Sequence, residues 1–283
     1  MMHQSFDVTG AVELDIRLAA GDVIVDPTLA GRVEVELIAH DDEAQRLADE
    51  ARVELREGQG RQQVVVDVPQ RRGGFNFGVV FGRSGITCRI RCPQGSLVGA
   101  KTKSAGVAVR GTAGGLNVAT ASGDVEADRV EGNASLKSAS GDLRIREVTG
   151  TLSVQTASGD VGVDVVHGAA TVATVSGDLT IGEAYDNVSA NTVSGDQRHS
   201  AVMQGRVAAH SVSGDVTIGV RRGSKVFLDC NTVSGDTSSE LEPTGDVPAG
   251  EGPLVELRAK TVSGDIRITR APAPSGHPQE VHA

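Results

Sequence analysis

The residues of this chain whose spacing most suggests chemistry are eight aspartates: Asp124, Asp142, Asp160, Asp178, Asp196, Asp215, Asp236 and Asp265. Each closes a Ser-Gly-Asp tripeptide. The tripeptides begin at Ser122, Ser140, Ser158, Ser176, Ser194, Ser213, Ser234 and Ser263, so the step is constant as far as Ser194 and lengthens after it. If the repeats stack, neighbouring carboxylates stand about 5 Å apart and repel by roughly 1 kcal/mol even in water. Something must offset that repulsion. The structural answer is that each carboxylate accepts the amides of its own turn and a serine hydroxyl of a neighbouring turn. The functional answer is a row of calcium ions. Calcium takes about six to eight oxygens, and the calcium-binding repeat G-G-x-G-x-D brings more glycine turns per coil than Ser-Gly-Asp does. Paired carboxylates could also act as acid and base on a sugar. Here the carboxylates recur identically, Trp is absent and Tyr185 is the single tyrosine, so nothing marks out one active site. No histidine recurs with the tripeptide, so its serine is no nucleophile. His3, His40, His167, His199, His210, His277 and His282 show no metal-ligand spacing and read as surface residues. The row is therefore expected to be structural, with no catalytic residue, no metal and no cofactor.

A fixed period of this length marks a solenoid. Within one repeat, Leu152 and Val154 alternate with Ser153 and Gln155, the period of two of a strand with one buried face. Val161 and Val163 begin a second strand after the turn, as do Leu143 and Ile145, or Leu179 and Ile181. One such coil cannot bury its apolar face alone, whereas stacked coils can. Aromatics make up 2% of the chain and Gly counts 36, which fits a narrow, turn-rich core of small side chains. The expected fold is all-β: a single-stranded β-helix, or β-solenoid, of about 18 residues per coil. An irregular N-terminal cap with one short helix precedes it.

Three regions follow from the pattern. Residues 1–85 form the cap. Within it, 13–26 is a worn copy of the repeat, with Gly21 and Asp22 at the turn. The helix is expected over 41–52, where Asp41 can cap and Ala44, Leu47, Ala48 and Ala51 make one apolar stripe. It should cover an open end or side of the sheet and protect its edge. Residues 70–85 are Gly-rich and place Phe75, Phe77 and Phe81 between Arg71, Arg72 and Arg83. Those rings either pack back on the solenoid or form an interaction loop for a partner, another subunit or a lipid surface. Residues 86–270 form the solenoid, with 237–260 read as a loop on one coil because of Pro243, Pro248 and Pro253. Residues 271–283 are Pro-rich and polar and read as a disordered tail.

The net charge of −10 excludes a phosphate-binding surface, so nucleic acid is not an expected partner. The sequence contains no apolar run long enough to cross a bilayer, hence no expected membrane span. No secretory signal is visible at the N-terminus. Cys88, Cys92 and Cys230 lie at inward phases and read as small buried hydrophobes. A cytoplasmic location follows, with the inner face of the envelope as the alternative.

The repeated T-[AV]-S-G-D followed by V-x-V or L-x-I, as in Thr156–Val163 and Thr174–Ile181, resembles the bacterial putative-adhesin family of β-strand-repeat proteins, a domain of unknown function. A Pro-x-Gly step at Pro93–Gly95 leads into the repeats. The resemblance implies a β-helical stack with an adhesive or envelope-linked role and no catalytic residues. The functional expectation is a non-enzymatic binding or scaffold module with an unknown protein or envelope partner. A self-assembling structural protein, with coils stacked end to end into a homo-oligomer, is the alternative. A calcium-binding β-roll and a polysaccharide-acting enzyme rank behind both.

Overall fold

A computed structural model of the chain describes residues 2–58, 60–70, 85–241 and 252–271. Two long, mostly parallel sheets face each other across a shared core, one of 13 strands and one of 12. Each coil gives one strand to each sheet. In one middle coil, Leu152–Ser158 lies in the 12-stranded sheet and Val161–Val166 in the 13-stranded sheet. Coils stack in strict register: Leu136 pairs with Val154, Val154 with Val172, and Val172 with Ala190. Like therefore sits on like, and the inward rows are almost wholly buried. Each fully buried Val or Leu contributes on the order of 2 kcal/mol of transfer free energy. The β-solenoid expected from the repeat period is the fold observed.

Neither end of the stack follows chain order. At the N-terminal end, the worn copy occupies an interior place. Its strand Glu13–Leu18 lies between Arg61–Asp67 and Leu97–Thr102. Its strand Gly21–Asp26 lies between Ile86–Arg91 and Gly106–Ala113. The outermost strands here run antiparallel: Met2–Asp7 on Arg32–Ala39, Arg32–Ala39 on Ile86–Arg91, and Arg52–Gly58 on Arg61–Asp67. Glu34 and Glu36 reach Arg91 and Arg89 at 3.5 and 3.9 Å across one of these pairs. The helix spans Asp42–Asp49, shorter than the expected 41–52, because Arg52 already begins the next strand. Asp41 caps it by accepting the Ala44 N–H at 2.7 Å. Ala44 and Ala48 are buried, and the helix packs on Arg32–Ala39.

At the C-terminal end the last coil, Leu254–Ser263 with Ile266–Arg270, is inserted between two earlier ones. Its first strand pairs with Gly205–His210 on one side and Lys225–Ser234 on the other. Its second strand lies between Val216–Val220 and Thr237–Ser239. The reading of 237–260 as a loop is corrected here, since both ends of that segment are strand. Pro243 and Pro248 lie outside the described residues, as do the expected tail from 272 onward and the segment 71–84. Among the described residues, no helix is long and apolar enough to cross a membrane.

Candidate functional site

The chain passes from one sheet to the other through the repeated T-[AV]-S-G-D corner. The threonine points inward: Thr120, Thr156, Thr174, Thr192 and Thr261 are buried. The Thr156 hydroxyl donates to the Ser158 carbonyl at 2.9 Å, and Thr174 to Ser176 at 3.2 Å. Serine replaces threonine at 138 and 211, and those two hydroxyls are buried without a hydrogen-bond partner among the described residues. The glycine is demanded twice. Gly177 has φ of +120°, which side-chain-bearing residues rarely adopt. A Cβ there would also strike the carbonyl of Gly159 one coil away.

The aspartate that follows bonds along the stack. Asp124 accepts the Asp142 N–H at 2.9 Å, Asp142 the Asp160 N–H at 3.1 Å, and Asp160 the Asp178 N–H at 2.9 Å. Asp178 accepts from Asp196, and Asp196 from Asp215, both at 2.8 Å. Asp215 then accepts from Asp265, and Asp265 from Asp236, at 2.8 and 2.9 Å. The spatial order of the last two members is thus the reverse of their sequence order. Where own-turn amides and neighbouring serines are the sequence-based expectation, these bonds reach the next coil. The reason is the parallel register, which places each aspartate N–H directly over the carboxylate below. Toward the N-terminus the row breaks at Gly106, which takes the aspartate place between Asp22 and Asp124. Among the described residues no group of three or more His, Cys, Asp or Glu side chains is arranged to hold a metal ion.

Beside the carboxylates runs an apolar row. Val175, Val193, Val212, Val262 and Val233, in spatial order, are between 45% and 80% exposed. Flanking pairs hold them in line: Thr174 with Thr192, Ser176 with Ser194, Ser194 with Ser213, Ser213 with Ser263, and Thr232 with Thr261. Earlier coils carry exposed Ala121, Ala139 and Ala157 at the same place. The row therefore becomes more apolar toward the C-terminal end. The sequence holds this signal as the change from T-A-S-G-D to T-V-S-G-D.

Polar side chains also interrupt an apolar inward row of the 13-stranded sheet. Gln197 and His199 stand in register with Leu179 and Ile181 on one side and Val216 and Ile218 on the other. Both are buried, which corrects the reading of His199 as a surface residue. Phase, not polarity, decides where a residue on a registered strand points. The Gln197 amide donates to the Thr192 hydroxyl at 2.9 Å and to the His210 carbonyl at 2.7 Å. Neither His199 ring nitrogen has a partner among the described residues, and burial pushes its pKa down from 6.5 to about 4. Cys88 and Cys92 are buried free thiols, held protonated by desolvation at pKa values of about 12 and about 11. Cys230 is half-buried. An open depression on the outer face of the 13-stranded sheet is lined by Arg110, Glu126, Asp128, Arg144 and Arg146. Its charges are partly paired already, Arg146 with Asp128 and Arg144 with Asp142 at 3.0 Å each. Arg71, Arg72, Phe75, Phe77, Phe81 and Arg83 lie outside the described residues.

Comparison with curated proteins gives no match. Among solved structures, a "putative adhesin" from Bacteroides fragilis is similar at 13% identity and a TM-score of 0.46, covering 94% of this chain and 96% of that one. A "putative adhesin" from Parabacteroides merdae gives 12% and 0.44, covering 95% and 96%. A "putative lipid binding protein" from Parabacteroides distasonis gives 13% and 0.43, covering 94% and 96%. Residues 11–269 match the Toastrack DUF4097 family, from just before the worn coil into the last strand. The resemblance carried by the repeated corner holds over nearly the whole stack, and the chain belongs to the Toastrack DUF4097 family, a domain of unknown function.

Proposed function

We propose that this chain is a non-enzymatic binding and scaffold module that works in the cytoplasm or at the inner face of the envelope. The observation that carries the reading is the row of exposed valines, aligned by the stack and bordered by the carboxylates. An apolar stripe beside an anionic one suits a protein partner that lays an extended apolar segment along the corner. Soluble proteins rarely expose contiguous apolar rows without a use for them. The free thiols at Cys88, Cys92 and Cys230 fit a reducing compartment. The Asp row acts structurally in this reading, and the partner meets it as a negative border.

Site-specific photocrosslinking in the native cell tests the proposal. A photoreactive side chain at Val212 should give a discrete adduct, and the same probe at Glu126 on the outer sheet face should not. Changing Val193 and Val262 to Ser should remove the Val212 adduct while leaving the melting temperature within a few degrees. Equal adducts at both positions, or no dependence on the flanking valines, would sink it.

A further inference from the structure

The two ends of the solenoid are finished differently. At the N-terminal end the outermost strand of the 12-stranded sheet, Arg52–Gly58, carries an ion-paired Arg52, Glu54 and Arg56. Charges of this kind protect an edge from pairing. At the other end the outermost strand is Lys225–Ser234, ten residues long. Among the described residues nothing pairs with its outer side. Phe227 is 54% exposed, and the inward-phase Leu228 is still 38% exposed, so the core opens to solvent here. Lys225 and Asp229 enter no ion pair among the described residues.

We propose that the chain forms a closed two-fold dimer by antiparallel pairing of Lys225–Ser234 with the same strand of a second copy. This inference is independent of the valine-row reading. The strand's own pattern sets the register. The Lys225 N–H donates to the Pro253 carbonyl, so in a parallel ladder the main-chain groups of Val226 and Leu228 face the open side. An axis at Phe227 sets Val226 opposite Leu228 of the second copy as a hydrogen-bonded pair, twice over. It also sets Phe227 opposite Phe227 at the closer, non-hydrogen-bonded spacing, ring against ring. Lys225 falls opposite Asp229 on both sides of the axis, so both charges of the strand are matched. Moving the axis to Asp229 would instead oppose Asp229 to Asp229. Because residues of equal parity meet, the inward faces of both copies point to the same side and the two cores join. The charged antiparallel end does not offer the same surface, so the contact is isologous and closes at two copies, without growing into a fibre.

Sedimentation of the full chain over roughly a hundredfold range of concentration should show a mass rising from 29.1 kDa to twice that value, in the micromolar range expected of a small interface. Lys225→Asp or Asp229→Lys alone should weaken the dimer about tenfold. The double exchange Lys225→Asp with Asp229→Lys should restore it, which a mere loss of folding would not do. Phe227→Cys should oxidise rapidly to a covalent dimer. A chain that stays monomeric, because its own segment covers the strand or for any other reason, overturns the proposal. So does a dimer indifferent to the charge exchange, or one that cross-links through native Cys230 instead.

Discussion

His199 is a base held where its charged form cannot be solvated, and it makes one region of the core sensitive to acid. Its folded pKa is about 4 against an ordinary 6.5. The unfolded chain therefore binds more protons between those values. Stability contributed by the neutral ring is intact above pH 6.5, falls as pH drops toward 4, and is flat below. The gap corresponds to on the order of 3 kcal/mol. Urea unfolding at pH 7.5 and pH 4.5 measures it, with His199→Ile as the reference. The variant continues the row from Ile181 to Ile218. It should be at least as stable at neutral pH, since it removes two buried nitrogens that have no partner among the described residues. It should also lose the part of the acid sensitivity that belongs to the ring. Parallel pH dependence in both proteins would exclude this role for His199.

At the scale of the element, the corner is a stack of identical turns tied by side chain to backbone. The Asp178 carboxylate accepts the Asp196 N–H above, and the Asp178 N–H donates to the Asp160 carboxylate below. Asp178→Ala removes one bond, at a cost of about 1 kcal/mol. Asp178→Asn keeps an acceptor and removes a charge between two others, so its loss should be smaller. Thermal melting separates them, and millimolar calcium should leave the wild-type midpoint unchanged. A saturable calcium-dependent rise that Asp178→Asn weakens would show a metal-binding row instead. Much of this element was legible from the residues, because the repeat period, the glycine and the alternation of Leu152 and Val154 all act locally. The direction of the aspartate bonds was not. It depends on which N–H the register brings over each carboxylate. The helix lost its last turn to Arg52–Gly58 because strand pairing outweighed local helix propensity. Gln197 and His199 were legible by phase, since they occupy the places of Leu179 and Ile181, but polarity pointed the other way.

At the scale of the whole molecule, the outermost coil at the C-terminal end, Lys225–Ser234 with Thr237–Ser239, precedes in sequence the coil that it covers. The order of the last two coils could not be read from the residues, because both end in T-V-S-G-D and a parallel strand carries no mark of which neighbour it takes. The long step from Ser234 to Ser263 records only that the chain must cross and return. Protection should follow space and not sequence. In dilute protein, amides of Leu254–Ser263 should exchange with deuterium more slowly than those of Lys225–Ser234, although they lie nearer the C-terminus. The reverse order would contradict the inserted coil. The inserted coil also bears on biosynthesis. A ribosome releases the segment 225–239 before the layer that belongs beneath it. Until 254–270 emerges, the exposed side of 205–220 meets a newcomer with the same corner sequence and a matching inward phase. Any pairing formed there at that stage would have to be undone before 254–270 could take its place, so the order of synthesis and the order of the finished stack run against each other at this end.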